Sequence, residues 1–112
     1  MSKIAIANVK VETINISKTT DMYLKHIVEN RNAEVYPFAA TSINGQCIYE
    51  LLKSSETCEI FQKFDSISMD GQPAVIMSKF WPEKFEERVA TTDLIHECFN
   101  QGQAYGIRHY VL

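Results

Sequence analysis

The sequence predicts an α+β fold, built as a mixed, mostly antiparallel sheet with a central β-hairpin and helices packed on it. Three observations carry this expectation. The first run, Ile4 to Ile16, is rich in β-branched residues, which suit a pleated, half-buried surface. Apolar residues recur at helical spacing at Tyr23, Leu24, Ile27 and Val28, and again at Leu94, Ile95, Cys98 and Phe99. Asp70-Gly71 stands between two apolar runs, a pairing that favours a tight hairpin because both central positions of such a turn need φ > 0.

Taken in order, the parity of the first run switches between Ile6 and Val9 and again after Thr13. One regular strand cannot keep all these residues on one face, so a bulge or break is expected near Asn8 and a second near Thr13. Ser17-Lys18-Thr19-Thr20-Asp21 supplies capping residues for a helix that Asn30-Arg31-Asn32 ends. Glu34 to Thr41 reads as a short strand that Pro37 confines to an edge. After the turn at Asn44-Gly45, a short helix spans 46–53 with Cys47, Ile48, Leu51 and Leu52 inward.

Residues 58–69 are expected to form the first hairpin arm. The spacing of Ile60, Phe64 and Ile67 is nearly helical, however, and Ser54, Ser55 and Thr57 would cap a helix there. Ala74 to Trp81 is expected as the second arm, closed by Pro82. A short charged helix at 83–89, a helix capped by Thr91 or Thr92 with Asp93 in its first turn, and a last strand at 107–112 complete the chain. No composition shift or linker divides it, so residues 1–112 form one domain. A chain of 112 residues buries roughly 60–70% of its unfolded surface, enough for a core.

Composition narrows the function classes. Apolar residues make up 46% and charged residues 22%, ordinary for a globular protein. A net charge of −3 without clustered Lys or Arg argues against direct nucleic-acid binding. Cys47, Cys58 and Cys98 are odd in number, lack a C-x-x-C spacing and sit among apolar residues, which points to free thiols in a reducing compartment. No apolar run reaches the ~20 residues of a membrane span, and the first residues lack a signal-peptide pattern. The expectation is a cytoplasmic protein with no membrane partner.

Chemistry is sparse. His96-Glu97-Cys98-Phe99-Asn100 begins like a zinc-protease helix, but Asn100 stands where the second imidazole belongs, so no metal site is expected. His96 lies two positions from Cys98 on one helix and so faces away from it, which leaves the thiol without a base. No carboxylate pair is poised for acid–base work, and no cofactor is implied. The candidate ligand-binding residues are Trp81 and Phe80, which with Phe85 would form an aromatic wall or else core, Lys79 and Arg108 as cations for an anionic or aromatic ligand, and His109.

Tyr49-Glu50-Leu51-Leu52, the run 59–69, Asp70-Gly71-Gln72-Pro73, Ala74 to Trp81-Pro82, Leu94-Ile95 and Tyr105-Gly106-Ile107 together resemble the UTRA domain. That domain is the effector-binding half of GntR-type transcription regulators and shares the chorismate-lyase fold. The resemblance implies a stand-alone small-molecule sensor without its own DNA-binding part. A homodimeric structural protein is the alternative reading, because an arm apolar on both faces would be covered by helices or by a second copy. A lyase-like enzyme ranks third.

Overall fold

The computed structural model describes residues 3–112. Strands β1 (Lys3–Ile6) and β2 (Val9–Glu12) form an antiparallel hairpin in which Ile6 faces Val9. Helix α1 (Ile16–Glu29) follows, then β3 (Ala40–Ile43), the helices α2 (Gly45–Lys53) and α3 (Ser55–Gln62), and β4 (Ser66–Met69). A short helix α4 (Gln72–Met77) runs into a 3-10 turn at Ser78–Phe80, and α5 (Thr91–Gly102) ends in a second one at Gln103–Tyr105. Strands β3 and β4 pair in parallel, from Ala40 opposite Ser66 to Ile43 opposite Met69. The two pairs are separate two-stranded sheets, with β2 packed close to β4. No helix among the described residues is long and apolar enough to cross a membrane.

The break expected near Asn8 is a complete reversal. Ala7 and Asn8 adopt φ of 49° and 67°, the two left-handed residues that a two-residue hairpin turn demands. Neither is glycine, and helix α3 holds them in place. The Cys58 Sγ lies 3.2 Å from the carbonyl oxygens of Ala7 and of Leu51, and the Gln62 side-chain amide donates to the Asn8 carbonyl at 2.9 Å. Helix α1 is capped by Asn15, whose side chain accepts from the Lys18 amide at 2.9 Å, just ahead of the Ser17–Asp21 cluster expected to supply the cap. Its exit matches expectation, with Asn32 at φ 65°.

The α+β class stands, but the sheet arrangement differs from the expected single, mostly antiparallel sheet with a hairpin at Asp70-Gly71. The hairpin of this protein is β1–β2, and the Asp70-Gly71 step joins a strand to a helix. Gly71 has φ −140° and ψ 109°, an extended helix N-cap, and Pro73 sits in the first turn of α4, where its missing N–H costs nothing. The run 74–81 is helical and then turn-like, because a short apolar run has the same composition as a buried helix segment.

The first arm likewise splits. Ser54 accepts from the Thr57 amide at 3.2 Å and starts α3, which follows the helical spacing of the region; only residues 66–69 extend. The charged helix expected at 83–89 is a loop, its amides spent on the sheet: Glu86 donates to Thr13 and Val89 to Met69, both at 2.8 Å. Residues 33–39 and 107–112 are irregular, the latter leaving Tyr110, Val111 and Leu112 exposed.

The sheet has two unlike faces. Val9, Val11, Ile43, Ile67 and Met69 pack with Leu51, Val75 and Phe85 into the core, with Phe61 and Trp81 against its margin. Alternation sends Ser66 and Ser68 to the other face. There they lie beside the phenol of Tyr23 without a hydrogen bond of good geometry, and burial pushes that phenol above its ordinary pKa. Glu12, 4% exposed, is held by Lys3 at 3.3 Å through one carboxylate oxygen.

Two consequences are measurable. Ala7→Gly removes the steric penalty of a left-handed alanine, worth roughly 1–2 kcal/mol against up to about 1 kcal/mol of added chain entropy. The variant is expected to unfold at higher urea, and an unchanged or lower midpoint would show that the α3 contacts already absorb the strain. Ser68→Ala deletes a buried hydroxyl without a good partner, so stability is expected to hold or rise by up to about 1 kcal/mol. A loss above 1 kcal/mol in the same urea titration would mean that the hydroxyl bonds Tyr23 in solution.

Candidate active site

Because β3 and β4 are parallel and in register, their carboxyl ends lie side by side. Open sheets of this kind present ligand sites just beyond those ends. The Asp70 amide donates to the Ile43 carbonyl at 2.8 Å, which carries the pairing one residue past β4. The two following turns nearly touch: a Cβ on Gly71 would lie 3.6 Å from Asn44 Cα and 3.8 Å from the Gly45 nitrogen. The start of α4 thus lies within van der Waals reach of the start of α2, whose cap is Asn44 accepting from the Cys47 amide at 3.1 Å.

The loop from 81 to 90 closes the third side. Phe85 and Val89 are buried and the Val89 amide bonds the Met69 carbonyl, so Arg88 and Thr91 are delivered to Asp70. Asp70 Oδ1 accepts from Arg88 Nε at 2.9 Å. Asp70 Oδ2 lies 3.5 Å from the Thr91 nitrogen and 3.4 Å from its Oγ1. The Thr91 hydroxyl in turn lies 3.1 Å from Ser42 Oγ on β3. The carboxylate therefore caps the amino end of α5, where the helix dipole favours negative charge, and Ala90 at the N-cap offers no side chain of its own.

The Asp70 side chain is 22% exposed and that of Arg88 50%, so both are reachable from solvent. The ledge offers a carboxylate that can accept a proton, a guanidinium that can bind an anion, and two hydroxyls. Among the described residues, no group of three His, Cys, Asp or Glu side chains is placed to hold a metal ion.

The residues singled out from sequence lie elsewhere. Lys79 and Phe80 are exposed on the 3-10 turn after α4, Phe80 at 88%. Trp81 packs edge-on against Phe85 at 6.4 Å and lines a groove with Lys3, Ile4 and Glu83. Arg108 and His109 border a different groove of about 490 Å³ with Tyr23, Cys98 and Phe99. His109 packs edge-on against Phe99 at 4.6 Å, and a Cβ on Gly102 would come within 3.3 Å of its Nε2. The structure therefore does not gather the five residues into one groove. Burial pushes the Cys98 thiol up from its ordinary value, which disfavours the thiolate a nucleophile needs.

Sequence reasoning treated Asp70 as a turn residue only. The signal that would have found it is the pattern of a short β run, Asp-Gly, then proline in the first turn of a helix, which is how a strand hands over to a helix at a ligand-binding end.

Asp70, Arg88, Thr91 and Ser42 thus form one polar cluster at the carboxyl ends of a parallel strand pair, not at the tip of a hairpin. The sequence model of the glycosyl transferase WecG/TagA/CpsF family matches residues 4–112, and the chain belongs to that family. No curated protein matches the chain at significant similarity. The match overturns the UTRA resemblance, and the transcription-regulator and chorismate-lyase readings fall with it. The physical reason lies in Asp70-Gly71-Gln72-Pro73: read as a hairpin it resembles a regulator domain, but it is a strand-to-helix turn. The structural-homodimer and lyase-like readings gain no support from the match either.

The Thr91 hydroxyl ties Asp70 to Ser42, so Thr91→Val is expected to lower stability by roughly 0.5–1 kcal/mol while Thr91→Ser retains it. Equal urea midpoints for the two variants would show that the hydroxyl bridge contributes nothing.

Proposed function

We propose that this chain carries the reaction centre of a glycosyl transfer, with Asp70 as the general base and Arg88 as the anchor for an anionic leaving group. The observation that carries the reading is the placement of Asp70: a partly exposed carboxylate at the carboxyl end of β4, beside an arginine and a helix amino terminus, in a member of a glycosyl transferase family.

The chemistry follows from those groups. An acceptor hydroxyl within hydrogen-bond reach of an Asp70 oxygen gives up its proton there as its oxygen forms a bond to the sugar's anomeric carbon. The bond from that carbon to the leaving group breaks, and the departing oxygen keeps the electron pair. A phosphate-terminated leaving group would then carry its charge beside the Arg88 guanidinium and the first amide of α5, both of which favour an anion. The donor class that fits is therefore a sugar joined through its anomeric oxygen to a phosphate or diphosphate.

The test is transfer of labelled sugar from a panel of nucleoside-diphosphate sugars to hydroxyl acceptors. Asp70→Asn is expected to lower kcat by about 10²–10⁴, the usual contribution of a positioned base, with a much smaller change in donor KM. Undiminished turnover by the Asn variant would remove Asp70 from the chemistry.

A further inference from the structure

We infer that the Asp70–Arg88 contact is a self-occluding pair: the carboxylate occupies the protein's own anion site, and the anionic end of the donor must displace it before the base is free. This rests on the reading of Asp70 and Arg88 given above and adds to it the group that a bound anion has to displace.

The geometry makes the argument. An incoming phosphate would seek the Arg88 guanidinium and the first amide of α5. Both are already taken by one carboxylate, through Oδ1 at 2.9 Å and Oδ2 at 3.5 Å.

The contact is also built to open. The Arg88 side chain is half exposed, and ion pairs of that exposure are weak. Its backbone neighbours are not free to move with it, since Phe85 and Val89 are buried and Val89 is bonded to β4. The side chain alone can swing.

The surrounding charges leave Asp70 as the competitor that matters. Glu86 and Glu87 flank Arg88 in sequence, yet both are committed elsewhere. Glu86 pairs with Lys18 at 2.8 Å, and Glu87 Oε1 accepts from the Ile16 amide at 2.8 Å, capping α1. Asp93, in the first turn of α5, adds a second acidic side chain at that helix end, and Asp70 is the one in contact with Arg88.

The experiment uses pyrophosphate as the probe, titrated by calorimetry into the wild-type chain, Asp70→Asn and Arg88→Gln. Removing the competing carboxylate is expected to tighten pyrophosphate binding by about 5–50-fold, the range of a close charge coupling, while Arg88→Gln weakens it by about 10-fold or more. In the wild type, the Arg88 Nε–H resonance is expected to move on pyrophosphate saturation. Equal or weaker binding by Asp70→Asn, with wild-type binding intact, overturns the self-occlusion and leaves the anion-anchor role of Arg88 standing. Pyrophosphate bound by none of the three proteins overturns both. Should Asp70→Asn fail to fold, an Arg88 resonance that stays fixed while the wild type saturates overturns the self-occlusion by itself.

Discussion

The parallel pairing of β3 with β4 is the constraint on which the rest of the structure depends. Strand β4 is four residues long and buried along its whole length, hydrogen-bonded to β3 and packed close to β2. A parallel pair cannot be closed by a tight turn and needs a long crossover. Here α2 and α3 supply it, and they cover one face of the sheet as they do so. Because the two strands stop at the same level, the turns that follow them meet, and Asp70 emerges where the amino end of α5 can be brought to it. Pairing, crossover and site are one arrangement.

The same strand separates an apolar side from a polar one. Ile67 and Met69 join the core, whereas Ser66 and Ser68 face Tyr23 among buried groups whose hydrogen bonds are incomplete. Burying hydroxyls and the Glu12 carboxylate there weakens the packing that a fully apolar layer would give. The loop 81–90 offsets part of this. It buries Phe85 and Val89, bonds the ends of β2 and β4, caps α1 through Glu87 and carries Arg88 to Asp70. A segment whose composition suggests a solvated charged helix is in fact the clasp of the site.

Much of the helical structure was legible from local signals. The stripe from Tyr23 to Val28, the turn before 46–53 and the stretch from Thr91 to Gly102 all formed near their expected positions, since capping residues and 3.6-residue spacing act within one turn of chain. The parity break at Asn8 was legible too, although its meaning as a hairpin was not, because alanine and asparagine do not advertise two left-handed residues. Asp70-Gly71 misled for the opposite reason: a strong hairpin signal also fits a strand handing over to a helix, and only Pro73 hinted at the difference. The site was the least legible part. Arg88 and Thr91 stand 18 and 21 residues from Asp70, and no local pattern joins them.

By itself, then, the sequence determined an α+β class, the positions of the helices at 16–29, 45–53 and 91–102, the β character of the first run and the apolar residues available for a core. These follow from backbone propensity and periodicity, which are properties of short windows. The tertiary structure alone decided that β4 pairs with β3 rather than with residues 74–81, that the charged loop lies across the sheet instead of coiling, and that a turn aspartate becomes the centre of a charged ledge. Each of those outcomes depends on hydrogen bonds between segments far apart in the chain, such as Asp70 to Ile43, Val89 to Met69 and Glu86 to Thr13. Their partners are set by how the buried faces fit together.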